Sequence, residues 1–246
     1  MLNRKILIYV SAAILIAALV VVANTMRNNS QVSGLRVELE YNGSDTLITA
    51  SRLERQISAD LTWVNHTKVK DVDKDAVNTS VMKSPFIERC NTSVSVRGAI
   101  VVKAVQRRPI VRMFANGEEF YVDALCKKMP LSEDGDGNVL VANSQKSHIT
   151  NADAHKLYRL AEYLYQHPDY GVLFDQVYLD QSSQLCLVPK VFNHIVVVGD
   201  NDSLNFKMEK LWHFYTHVMP QKDCNAYSVI NLKYSNQVVC GKEVAR

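Results

Sequence analysis

His213 and His217 stand four residues apart, a spacing that puts two imidazoles on one helix face and within reach of a single metal ion. A zinc protease of that pattern carries a glutamate directly after the first histidine as its general base. Phe214 occupies that place. A structural metal would need a third donor, for which Cys224 and His194 are the candidates. Asp134, Asp136 and Asn138 copy the start of a calcium loop, but Val139 stands where the loop needs glycine. Gln145 stands where it needs a bidentate glutamate. GxSxG, P-loop and GxGxxG patterns do not occur. The residues therefore read as helix-face histidines and a solvated turn. They indicate no catalytic residue, no metal, no cofactor and no small-molecule substrate.

Charge excludes another class. Lys and Arg number 28 against 25 Asp and Glu, and Arg4 and Lys5 supply most of that excess. The nearly neutral remainder gives no electrostatic case for nucleic acid. Cys90, Cys126, Cys186, Cys224 and Cys240 are widely spaced, odd in number and without a CxxC pair. They read as small buried side chains rather than a disulfide scaffold. Sequons at Asn28, Asn42, Asn65, Asn78, Asn91 and Asn201 would carry glycans only in a eukaryotic secretory protein.

The elements that position these residues begin with an apolar run, Ile6 to Ala23. As a helix it reaches about 27 Å, close to the roughly 30 Å hydrocarbon core of a bilayer. It exceeds the h-region of a cleaved signal peptide, so it is read as a retained transmembrane helix over residues 6–23. Arg4 and Lys5 place the tail, residues 1–5, in the cytoplasm and send the rest across the membrane. Residues 24–33 are polar and read as a linker. Leu35, Val37, Leu39 and Tyr41 alternate as a strand ended by Asn42-Gly43. Ser51 and Glu54 form a candidate capping box for a short helix, and a second helix is expected over 73–83, stopped by Pro85. Runs 86–96 and 99–106 around Arg97-Gly98 read as a hairpin. The order over residues 34–106 is therefore β-α-α-β-β.

Beyond residue 107 the texture is strands with tight turns. Asn116-Gly117 predicts a hairpin between 110–114 and 119–123. Leu157, Leu160, Ala161 and Leu164 predict a helix over 151–166, stopped by Pro168. Strands are expected at 176–179, 185–188 and 195–198. Leu204, Met208, Leu211, Trp212, Tyr215 and Val218 form the apolar stripe of a helix over 204–218, with Lys207, Glu209 and Lys210 off it. Strands at 227–234 and 237–240 follow. The fold class is α+β: one N-terminal transmembrane helix, a small β-α-α-β-β domain, and a mainly antiparallel β domain with two helices over 107–241. Residues 242–246 read as a tail.

Three segments together carry a resemblance: VQRRPI at 105–110, FYVDALCKKMPLS at 120–132 and INLKYSNQVVC at 230–240. With the anchor, they resemble the FtsQ/DivIB family of bacterial cell-division proteins in its Bacteroidetes form. The family's usual glycine after FYxD is replaced here by Leu125-Cys126. The resemblance implies that residues 34–106 are a POTRA domain, and that the chain is a non-enzymatic divisome scaffold. It would be single-pass in the bacterial inner membrane, with its bulk in the periplasm beside septal peptidoglycan synthesis. It further implies that FtsB/FtsL-like partners add a strand at the C-terminal sheet edge. The positions concerned are Lys233 and Tyr234 in the penultimate strand, and Ser235, Asn236, Gln237, Val238, Val239, Cys240 and Gly241 in the last. An edge strand offers unpaired N–H and C=O groups to an extended segment. Two other readings compete: a POTRA-type export or assembly factor, and a type II membrane glycoprotein or metal-dependent enzyme. No amphipathic barrel strands follow for the first, and the second rests on the sequons and the histidine pair.

Overall fold

The computed structural model describes residues 2–41, 45–221 and 226–242. The Asn42-Gly43 turn, Cys224 and most of the 242–246 tail lie outside them. The chain divides into two compact units, Met1–Arg107 and Arg108–Arg246.

The first unit opens with helix α1, Leu2–Asn29, whose stretch Ile8–Asn29 is long and apolar enough to cross a membrane. The helix continues through most of the segment read as linker. A formed helix adds one hydrogen bond for each further residue it fixes, so polar residues alone do not end it. Thr25 bonds back to the Val21 carbonyl, and Arg27 sits in the last turn, where the helix dipole favours a cation. Strand β1, Gly34–Glu40, follows. Helices α2, Ala50–Asp60, and α3, Lys74–Met82, precede the hairpin of β2, Ile87–Val94, and β3, Ala99–Gln106. The expected β-α-α-β-β order is present. β3 lies centrally, parallel to β1 and antiparallel to β2. Leu53 and Ile57 on α2, and Val77 and Val81 on α3, are buried with Ile100 and Val102 of β3.

The capping box at Ser51 is not formed. Thr49 is the N-cap, accepting the Arg52 N–H at 3.3 Å. Glu54 reaches instead to the edge of the sheet, where it accepts the Val37 N–H at 2.9 Å. Gln106 closes this unit. Its side-chain oxygen accepts the Leu47 and Ile48 N–H groups at 2.8 and 3.2 Å, and its amide donates to Asp45 O at 2.8 Å.

The second unit holds a nine-stranded mixed sheet. Its strands are β4, Pro109–Ala115; β5, Glu118–Asp123; β6, Lys128–Met129; β7, Leu140–Ser144; β8, Phe174–Leu179; β9, Leu185–Pro189; β10, Ile195–Gly199; β11, Val229–Asn231; and β12, Val239–Gly241. Their spatial order is β12-β11-β10-β9-β8-β7-β4-β5-β6. Most neighbours are antiparallel. The pairs β10–β11, β7–β8 and β4–β7 are parallel. The Asn116-Gly117 hairpin forms as expected, with both residues at positive φ, +53° and +82°.

Helix α4, Asn151–Gln166, packs on β4, β7 and β8 through Leu157, Leu160, Ala161 and Leu164. A capping box of Thr150 and Asp153 starts it, and Lys146 pairs with Asp153 at 2.7 Å. Those contacts, led by the Lys146 bond, hold the Asp153 carboxyl down to about 2. The short helix α5, Pro168–Gly171, follows. Cys126 takes a left-handed φ of +57° in the turn after β5, the conformation glycine favours, so the turn survives without glycine. Asp123 tightens it by accepting the Leu125 and Lys127 N–H groups.

Helix α6, Leu204–His213, is shorter than expected. A wider turn of helix, Phe214–Val218, continues it. The wider turn carries the buried face from Phe214 to Met219, five residues on, and leaves Val218 exposed; Trp212, ahead of that turn, is exposed as well. Lys207 also departs from the expectation of a solvent-facing residue. It is buried, and its ammonium donates to Asp200 O and Asp202 Oδ1 at 2.9 and 2.8 Å.

Candidate functional site

The C-terminal ribbon lies at one end of the nine-stranded sheet. β11 joins β10 in parallel through Ile195–Val229, Val196–Ile230 and Val197–Asn231, and β12 pairs antiparallel with β11 as the terminal strand. Ile230 and Leu232 are fully buried and anchor the ribbon in the core. Along the last strand exposure alternates: Val238 and Cys240 pack against the core, while Val239 and Gly241 face solvent. That alternation is the period of a strand with one buried face.

The nine predicted positions are contiguous and sit here, but not all in strands. Only Val239, Cys240 and Gly241 belong to β12, and neither Lys233 nor Tyr234 belongs to the penultimate strand, which ends at Asn231. The cause is local. Asn231 Oδ1 accepts the Lys233 N–H at 3.0 Å, which curls the chain out of the ladder. Lys210 then holds the curl from α6, donating to the Leu232 carbonyl at 3.1 Å and to the Tyr234 carbonyl. Burial followed by the nearby Lys207 charge lowers the Lys210 pKa. Ser235 and Asn236 form the turn, Gln237 and Val238 lead into β12, and Tyr234 is 49% exposed.

Lys233 lies exposed over the end of β10. An added Cβ on Gly199, at φ +81°, would come within 2.7 Å of Lys233 Cγ. Gly199 therefore meets two needs, a left-handed backbone and room for the lysine stem.

Beside the ribbon runs an open groove of about 560 Å³. Its lining includes Lys210, His213, Phe214, His217, Tyr227 and Cys240. The two histidines meet Nδ1 to Nδ1 at 2.7 Å, and Thr216 Oγ1 lies 2.8 Å from His217 Nδ1. His194, the other candidate donor, turns elsewhere. Its Nε2 lies 2.7 Å from Tyr215 Oη, and its ring stacks on Phe192. Among the described residues no group of three or more His, Cys, Asp or Glu is placed to hold a metal. The DGDGN turn is fixed by Tyr121 Oη, which accepts the Gly137 N–H at 2.9 Å, and Asp136 pairs with Arg112. Cys90, Cys126, Cys186 and Cys240 are free thiols; Cys186 is buried and Cys126 exposed.

Burial lowers the His194 pKa to about 4, against about 6.5 in the unfolded chain. Between those values the unfolded state binds a proton that the folded state refuses. Stability is therefore full above pH 6.5 and falls as pH drops toward 4, by on the order of 3 kcal/mol. Denaturant unfolding at pH 7 and pH 4.5 should show this loss, and His194→Phe should flatten it. The Asp153 contribution, lost only as pH falls from about 4 toward 2, lies outside that window.

Sequence reasoning missed Lys210, Gly199, Phe214 and Tyr227 as parts of this site. Only Gly199, ending an apolar strand run, carried a signal, and that signal read as a turn.

No curated protein matches the chain. The family described as FtsQ/DivIB, C-terminal related, matches residues 108–241, from the start of the second unit through the last residue of β12. A match over more than half the chain, ending on the ribbon itself, shows that the chain belongs to the FtsQ/DivIB family of cell-division scaffold proteins.

Proposed function

We propose that the protein is a membrane-anchored divisome scaffold that holds FtsB/FtsL-like proteins by strand addition to β12. One observation carries the reading: β12 is the terminal strand of its sheet and pairs with β11 alone among the described strands. Its outer N–H and C=O groups can accept an extended segment, and side chains at alternate positions can enter the groove beside Val238 and Cys240. Lys233 offers a charge to an acidic partner, and Tyr234 an exposed aromatic anchor. The apolar helix α1 serves as the anchor, with Arg4 and Lys5 favouring a cytoplasmic tail and a periplasmic bulk. Residues 34–106 act as a POTRA module that meets other division proteins.

Binding of an FtsB-like peptide to the full chain tests this. Tyr234→Ala should weaken binding by roughly thirtyfold, the loss expected of a hot-spot aromatic, while thermal unfolding stays unchanged. Equal affinity for parent and variant would remove Tyr234 from the site.

A further inference from the structure

Three segments of the first unit converge at the end of α1. Arg27 Nη2 donates to the Val94 and Ser95 carbonyls at 3.3 and 3.2 Å, which ties the helix to the β2–β3 turn. The Ser33 N–H donates to Gly98 O at 3.1 Å. The Val69 N–H donates to Ser30 O at 3.0 Å, and the Val32 N–H to Thr67 O at 2.9 Å. Helix end, turn and the 67–70 loop are thus one bonded piece, with no slack chain between them.

The height of this piece follows from helix geometry. Arg27 stands four residues, about 6 Å, beyond Ala23, where the apolar run ends. The headgroup layer on each side of a bilayer is roughly 5–7 Å deep. A bilayer centred on the apolar run therefore has its headgroups level with Arg27 and the turn it holds. At that level Lys68, Lys70 and Arg97 are exposed, and Val96 at the tip of the turn is 85% exposed. Arg27 Nε is buried without a hydrogen bond among the described residues. Asp71, next along the chain, offsets one of these cations.

We propose that Lys68, Lys70, Val96 and Arg97, held at the helix end by Arg27, form a lipid-contact surface that seats the first unit on the bilayer. The cations meet headgroup phosphates, and Val96 dips into the interface. The inference rests on the reading of α1 as a membrane span and is independent of partner binding at β12. Each cation near an anionic leaflet strengthens the contact by about fivefold.

The test uses the full chain carrying Val96→Trp in nanodiscs of phosphatidylethanolamine and phosphatidylglycerol, with the parent protein as the baseline for Trp63 and Trp212. The added indole should emit to the blue of its aqueous position and be quenched by a headgroup spin label. Lys68→Glu, Lys70→Glu and Arg97→Glu, combined with Val96→Trp, should abolish both effects, and dissolved inorganic phosphate should change neither. Aqueous emission without quenching, in a chain that elutes with the discs, would overturn the surface. So would loss of the signal to free phosphate, which would mark an ion site instead. A chain that fails to enter the discs would overturn both anchor and surface, while peptide binding at β12 is read separately.

Discussion

Of the two variants Val239→Pro and Cys240→Pro, one should lose partner binding with stability intact, and the other should lose both. Successive residues of an edge strand point their N–H groups to opposite sides, one toward the neighbouring strand and the next away. Among the described strands β12 has such a neighbour on one side only. Proline removes the N–H and places its ring in the same direction. Facing outward, it deprives an incoming segment of a donor and blocks its approach, a loss of about 1–3 kcal/mol or roughly five- to 150-fold in affinity. Facing inward, it also breaks the pairing of β12 with β11. Peptide affinity and thermal unfolding of the full chain, measured together for both variants, separate the two cases. If neither variant weakens binding, the open backbone edge is not what the partner uses.

Gln106→Leu should destabilise the first unit by on the order of 3 kcal/mol, although leucine matches the side chain in size. The buried carboxamide makes three hydrogen bonds to one loop, at Asp45, Leu47 and Ile48. A buried hydrogen bond withdrawn without replacement costs about 1 kcal/mol or more. Leu47 and Ile48 are themselves buried, so water is slow to compensate. Hydrogen exchange at these two amides in the full chain checks the assignment directly. Protection should fall there well before it falls in β8 or β9. Unchanged protection would show that the loop does not depend on the Gln106 carboxamide.

What could be read from residues depended on how local the cause was. The Asn116-Gly117 hairpin, α4 and its buried stripe, and the β-α-α-β-β order rest on neighbours within a few positions, and they were legible. β7 was not foreseen. Its sequence, LVANS, is short and polar at one end, and it becomes a strand because β4 and β8 flank it in parallel. The penultimate strand was drawn too long because its alternation continues past Asn231. Whether the chain stays in the ladder is decided by the Asn231 carboxamide and by Lys210, a residue 24 positions before Tyr234. Lys207 shows the same limit. An amphipathic pattern places it in solvent, whereas two oxygens of the loop before the helix draw it inside.

The parallel ladder of β1 and β3 has a mechanical meaning. The chain enters β1 at Gly34, directly after the apolar helix, and leaves β3 at Gln106 on its way to the second unit. Pulling on those two exits draws the paired strands past each other along their length. Seven residue pairs, from Gly34–Ala99 to Glu40–Val105, then resist together instead of opening one at a time. Such a joint yields in shear, at high force, and a constricting cell could drag on it from both ends without unzipping it.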